Sequence, residues 1–366
     1  MIENPTDLPI VALTMGDVAG VGPELIARAW VASPLRELAR PIVIGCAATL
    51  EKAVLCAGLD LHVERLVLPR LTDSSSDVIP CWNPTGLDLS SIEPGQVDPR
   101  AGWGSHAFLV EAIDLALEGR VDAITTLPLN KESLHEAGVS HPGHTEILAE
   151  RCGVAEHGMM LYLGPPQGGP HGLGVLHATL HVPLRKVFEL LTIESVRAKI
   201  ELGDASFRAI TGGAAPRIAV AGLNPHAGEN GLFGDEERLI LAPAVEIARS
   251  LGIDVVGPIA ADTLFHRALG GGFDVVVAMY HDQGHVALKS VGFERAVNIT
   301  LGLPIVRTSV AHGTAFDIAW RGEAETTSLI EAVRVAGRIV QGLRRLSDAA
   351  DTAPISRPTP DPRPSK

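Results

Sequence analysis

The stretch DVVVAMYHDQGHVALKS, residues 274–290, decides how this chain is read. It opens on an apolar, β-branched run, Val275 to Ala278, of the length and character of a strand buried on both faces. It then passes into a cluster of reactive side chains: His281, Asp282, His285 and Lys289 fall within residues 281–289. A buried strand with chemistry just past its carboxyl end is the arrangement of α/β folds. The two histidines stand four residues apart, which leaves two readings open. They could grip a zinc ion from one face of a helix, or they could be unrelated neighbours on a loop.

The same pattern recurs along the chain. Strand candidates are residues 9–14, 41–45, 122–126, 159–163, 174–178, 217–223 and 274–279. Helix candidates are 23–33, 47–58, 103–118, 183–191, 193–202, 234–251 and 325–345. Apolar strands alternating with helices predict an α/β protein with parallel sheets. A chain of 366 residues can form two domains with cores of their own. No linker marks a boundary and no internal repeat is visible. The proline-rich, polar segment 348–366 is expected to be a disordered tail.

Composition excludes some functions. Aromatic residues make up only 4% and the formal net charge is -13, which argues against a base-stacking platform or a general phosphate-backbone binder. An anionic substrate therefore needs a local basic pocket. The four cysteines, Cys46, Cys56, Cys81 and Cys152, form no C-x-x-C pair and read as free thiols of a reducing compartment. The start of the chain lacks signal-peptide features, and no apolar run approaches a membrane span. The expectation is a cytoplasmic protein with no nucleic-acid or membrane partner.

Other segments carry candidate chemistry, each with a plain alternative. TMGDVAGVGPELIARAW (14–30) could cradle an anion before a helix, but it lacks G-x-G-x-x-G and by itself reads as a tight strand–helix turn. In PGHTE (142–146), Thr145 can cap a helix and His144 would sit in its positive field, or be an incidental histidine. His181, His226 and His281 each lie just past a predicted strand. Together they fit an open divalent-metal site; singly each is an ordinary core or surface histidine. Lys289, Asn298 and Arg307 would clamp a phosphate or carboxylate if they converge. HGTAFDIAWRG (312–322) could let a nucleotide approach closely, or simply connect a strand to a helix.

Taken together, these motifs resemble the 4-hydroxythreonine-4-phosphate dehydrogenase family of vitamin B6 biosynthesis, from Thr14 to about Ala336. The resemblance rests on Gly16 to Glu24, PGHTE, LNPHAGE (223–229), GPIAADTLF (257–265), MYHDQG (279–284), VNITLGLP (297–304) and RTSVAHGTAFDIA (307–319). The 312–322 loop is also similar to the nucleotide loop of isocitrate and isopropylmalate dehydrogenases. The resemblance implies two α/β domains flanking an active-site cleft. One would comprise residues 1–140 with about 300–347, the other about 141–299. It implies a homodimer whose second subunit completes the site.

It further implies a divalent ion (zinc, magnesium, manganese or cobalt) on His181, His226 and His281. Substrate contacts come from His144, Thr145, Lys289, Asn298 and Arg307. His312, Gly313, Thr314 and Ala315 would hold NAD or NADP, and Lys289, Asp262 and Asp282 are candidates for proton handling. The implied reaction is oxidation of a 4-phosphorylated 3-hydroxy acid followed by decarboxylation, foremost 4-hydroxythreonine-4-phosphate dehydrogenase activity. Alternatives are a 4-phosphoerythronate or 4-phosphothreonate dehydrogenase, a terephthalate dihydrodiol dehydrogenase, or a non-catalytic metabolite-binding relative. Three positions depart from the family pattern. Ala311 stands where Asp is usual, Trp320 where Gly is usual, and His285 where many members carry an apolar residue.

Overall fold

Short, β-branched runs without a polar face suit central strands, and most become so. The computed structural model describes residues 8–32, 35–67 and 75–352. Its strands are β1 (Ile10–Thr14), β2 (Arg40–Ile44), β3 (His62–Leu66), β4 (Val78–Trp82), β5 (Ala123–Thr126), β6 (Gly158–Leu163), β7 (Leu173–His177), β8 (Ile218–Ala221), β9 (Val255–Ile259), β10 (Val275–Ala278), β11 (Ala296–Leu301) and β12 (Val306–Val310). They form one sheet in the order β3-β4-β2-β1-β5-β12-β11-β6-β7-β10-β8-β9. Every residue of β5 and β10 is buried, as expected of strands covered on both faces.

The sheet is mixed rather than wholly parallel. β11 runs antiparallel to β6 and β12, and β6 antiparallel to β7. The reason is connection length. Residues 302–305 join β11 to β12 and residues 164–172 join β6 to β7, too few in either case for the crossover that a parallel pair requires. β4 and β9 contain Pro80 and Pro258, which mask their strand character in the sequence.

The helices are α1 (Gly22–Ala32), α2 (Leu35–Leu38), α3 (Ala47–Cys56), α4 (Pro99–Leu117), α5 (Lys131–Glu136), α6 (His144–Cys152), α7 (Leu184–Leu190), α8 (Ile193–Thr211), α9 (Ala242–Ser250), α10 (Ala261–Leu269), α11 (His281–Gly292) and α12 (Thr327–Thr352). Their ends follow local chemistry. The Asp98 side chain caps α4, and Thr192 and Ser195 cap α8 reciprocally. α12 continues past Asp348, where the sequence places a tail; residues 353–366 lie outside the described ones. Among the described residues, no helix is long and apolar enough to cross a membrane.

One apolar cluster gathers residues from Val11 to Leu148 with others from Val310 to Val340. Two more gather residues from Met160 to Leu301. α12 serves both sides: Val333 and Ala336 pack in the first cluster, Ala332 and Val335 in the second. The glycine-rich turn of residues 15–22 is a packing device. A Cβ on Gly16 (φ +71) would stand 2.3 Å from the Pro128 carbonyl oxygen, and one on Gly20 2.9 Å from that of Thr314. The Val21 N–H donates to the same Thr314 carbonyl at 3.1 Å, so this turn buttresses the 312–315 loop.

Candidate active site

A cavity of about 480 Å³ lies at the junction of these clusters, between β5, β11, β12, α6 and α11. His144, Thr145, Lys289, Asn298 and Arg307 all line it. Strand register explains part of this convergence. β11 and β12 pair Asn298 with Ser309 and Thr300 with Arg307. Directly opposed residues share a sheet face, and every second residue returns to it, so all four side chains point the same way. Lys289 reaches the same space from the last turn of α11, its ammonium 3.2 Å from the Ala311 carbonyl oxygen.

The cavity is electropositive where it is deepest. Arg307 is 3% exposed, and burial pushes its guanidinium down to about 10. It donates to Thr300 Oγ1 at 2.8 Å and Thr126 Oγ1 at 2.6 Å, while its Nε has no partner. No carboxylate pairs with it among the described residues. The buried Asn298 Oδ1 is likewise without a partner. Burial, and then the charge of Arg307, hold His144 well below the usual imidazole range, so it is neutral at neutral pH. Gly143, not Thr145, is the N-cap of α6 and supplies no capping side chain, and residues 143–146 line the cavity.

Histidines gather at the other end. α11 begins at His281, so His281 and His285 do share a helix, and their rings stack 3.8 Å apart at 9°. They do not act as a gripping pair, because near-parallel rings stacked face to face do not converge on one ion; His285 Nδ1 instead lies 3.1 Å from His177 Nε2. His281 faces His181 instead, with ring centres 5.6 Å apart. Two imidazoles bound tetrahedrally to one zinc ion stand about 5 Å apart by this measure, so the pair fits two ligands of a metal. Asp282 Oδ1 lies 2.7 Å from His281 Nδ1, which leaves Nε2 free to bind. His226 does not join them. It sits on an exposed turn, and among the described residues no three of His, Cys, Asp and Glu lie close enough to hold a metal ion. Asp262, exposed on the first turn of α10, does not line the cavity either.

His181 (φ 50) and His226 (φ 52) both occupy left-handed backbone, which is costly for residues other than glycine. The His226 turn is left-handed from His226 to Asn230, and the Glu237 carboxylate braces it by accepting from the Leu223 and Asn224 N–H groups. In the loop that begins at His312, His312 and Gly313 line the cavity, whereas Thr314 and Ala315 pack against the body. Trp320 has φ 64, a conformation that favours the glycine usual there, and its indole donates to the Val18 carbonyl at 3.2 Å.

The model of the family described as pyridoxal phosphate biosynthetic protein PdxA matches residues 37–336. The chain belongs to this family. It is 45% identical over 328 residues to a D-threonate 4-phosphate dehydrogenase of Salmonella typhimurium, covering 89% of this chain and 97% of that one. It is 42% identical over 341 residues to a 4-hydroxythreonine-4-phosphate dehydrogenase of Geobacter metallireducens, covering 92% and 97%. The crystal structure of a 4-hydroxythreonine-4-phosphate dehydrogenase from Klebsiella pneumoniae superimposes with a TM-score of 0.80 at 43% identity, covering 91% of this chain and all of that one. This PdxA-family chain is therefore an oxidoreductase. Three residues that the sequence does not single out also belong to this cavity of the PdxA-family chain: Lys131 and Glu146 line it, and His177 supports His285. Lys131 follows β5 as His281 follows β10, so the strand-end rule could have found it.

Proposed function

We propose that the protein uses NAD or NADP to oxidise the 3-hydroxyl of a four-carbon acid that carries a 4-phosphate, and that the β-keto acid so formed loses carbon dioxide. One observation carries this reading: a buried arginine with no carboxylate partner among the described residues, in the wall of a cavity that also holds Lys289 and an amide oxygen unpartnered among them. A buried charge of this kind is retained for a ligand that neutralises it. Arg307, Asn298 and Lys289 would hold the phosphate, with His144 and Thr145 donating from the start of α6. The carboxylate and 3-hydroxyl would then lie toward His181 and His281.

His181 and His281, with His226 of a second subunit, would hold a divalent ion: zinc, magnesium, manganese or cobalt. When bound, that ion supplies a Lewis acid that acidifies the alcohol and draws electrons during decarboxylation. Asp282 keeps the His281 ring oriented. In the alternative to its place in the clamp, Lys289, whose ammonium is held below its usual range by burial, takes the hydroxyl proton instead of holding the phosphate. Asp262 reaches the reaction only if the second subunit presents it. His312 to Ala315 would receive the nicotinamide nucleotide. We further propose a cytoplasmic homodimer with one lobe of residues 1–140 and about 300–347, the other of about 141–299. Exposed Leu184, Phe188, Leu232 and Phe233, on the segments that carry His181 and His226, support an interface there.

The names of the two relatives above give two phosphorylated substrates, D-threonate 4-phosphate and 4-hydroxythreonine-4-phosphate. Reduction of NAD and NADP should be assayed with 4-phosphohydroxythreonine, 4-phosphothreonate, 4-phosphoerythronate and a cis-dihydrodiol dicarboxylate. Turnover of a phosphorylated acid is expected; turnover of the dihydrodiol alone would overturn the proposal.

A further inference from the structure

We propose that His285 is a specificity-determining residue that presents a fixed N–H donor to carbon 2 of the substrate, selecting a 2-hydroxy acid over a 2-amino acid. This rests on the 4-phosphorylated-acid reading above and names the substrate within it. The first observation is the order of side chains on α11. His281, His285 and Lys289 follow one another at intervals of four residues, about 6 Å apart along the axis. The last lies at the proposed phosphate clamp, and the first beside His181. His285 lines the cavity between them. An acid held by its phosphate at one end and by its carboxylate and 3-hydroxyl at the other sets its middle carbons against this ring.

The second observation fixes which hydrogen-bonding group His285 offers. Its Nδ1 lies 3.1 Å from His177 Nε2 and 3.2 Å from the His281 carbonyl oxygen. Its Nε2 makes no hydrogen bond among the described residues and is not sealed off by burial. His177 is 2% exposed, and its Nδ1 is buried with no partner. Were the His177 hydrogen on Nδ1, a buried N–H would be orphaned, which is rarer and costlier than an orphaned lone pair. The hydrogen therefore sits on His177 Nε2 and is donated to His285 Nδ1. The alternative, in which His285 Nδ1 donates to the His281 carbonyl, sets its N–H against the His177 N–H across 3.1 Å, a repulsive contact. With Nδ1 an acceptor, His285 carries its own hydrogen on Nε2, toward the cavity.

The contact between the two histidines is built into the backbone. A Cβ on Gly284 would stand 2.4 Å from His177 Nε2, so glycine is what lets the rings meet. An N–H donor is satisfied by a hydroxyl oxygen at carbon 2. An ammonium group there has only donors to offer and would face it unsatisfied. His285 thus reads the substituent, and His177 is a positioning residue that sets its tautomer.

The test is kcat/KM for 4-phosphothreonate and 4-phosphohydroxythreonine with the full-length enzyme, its His285→Leu, His285→Gln and His177→Leu variants, and thermal melts as a folding control. The wild type is expected to favour the 2-hydroxy acid. His285→Leu should lower the preference at least about tenfold, mostly through loss on the 2-hydroxy acid. His285→Gln, which retains an N–H donor, should keep more of the preference than His285→Leu. His177→Leu should erode it without contacting substrate. A wild type that favours the 2-amino acid, or a His285→Leu variant that loses both activities equally, overturns the inference. Turnover of neither acid by a folded wild type is a different result, and overturns the underlying reading with it.

Discussion

Replacing Arg307 with methionine should cost the enzyme its substrate while leaving the fold almost untouched. Burial lowers the guanidinium from 12.5 to about 10, which corresponds to about 3 kcal/mol of destabilisation of the charged side chain in the empty protein. Against this stand two hydrogen bonds, to Thr300 and Thr126, worth about 1.5 kcal/mol or more each for a charged donor. The two contributions nearly cancel. Methionine follows a similar course and removes the charge, so the stability of Arg307→Met should lie within about 2 kcal/mol of wild type. The anion loses a buried, charge-assisted partner, and about 3 kcal/mol of lost binding is a drop of roughly 100-fold in kcat/KM. The drop should appear mainly as a raised KM for substrate, with the KM for nucleotide unchanged. Chemical denaturation and steady-state kinetics on the same preparations check both halves. A variant destabilised by more than about 4 kcal/mol would mark Arg307 as structural. Full activity, or a change confined to nucleotide binding, would refute the anion clamp.

Further outcomes follow from the same structure. His226→Ala should abolish bound metal, measured by elemental analysis, and turnover with it; undiminished activity in metal-free buffer would sink the metal assignment. If His226 reaches its partners across a dimer interface, mixing the inactive His226→Ala and His281→Ala proteins should restore up to about a quarter of wild-type activity, since half of the dimers then carry one intact site. No recovery after verified subunit exchange would show that each chain completes its own site. The carboxyl of Asp17, in the glycine-rich turn, is raised by burial to about 6 from 3.8. A raised carboxyl favours the folded state in its neutral form. Its contribution is present below pH 3.8 and is lost as pH rises through about 6, a loss of about 3 kcal/mol. Denaturation across pH 4 to 7 should show this slope in the wild type and lack it in Asp17→Asn; equal slopes would remove Asp17 as its source.

The sequence alone determined the α/β class and named Lys289, Asn298 and Arg307, which the structure brings to one cavity. Runs such as Val275 to Ala278 are short, β-branched and without a polar face, which suits central strands, and strands alternating with helices put helices on both sides and chemistry at strand ends. It was silent on β11 and β12, where Asn298 and Arg307 interrupt the apolar pattern because they face the cavity. Only the tertiary structure decided what the histidines do. Spacing places His281 and His285 on one helix face, but a buried strand 108 positions away supplies His177, which takes up His285 and leaves His281 to face His181. Tertiary structure likewise separated His226 from the pair within one chain and showed Arg307 to be buried with no acid paired to it among the described residues. Secondary structure follows from periodicities between near neighbours. Charge pairing, tautomer and metal geometry depend on which distant segments meet, and no local pattern encodes that.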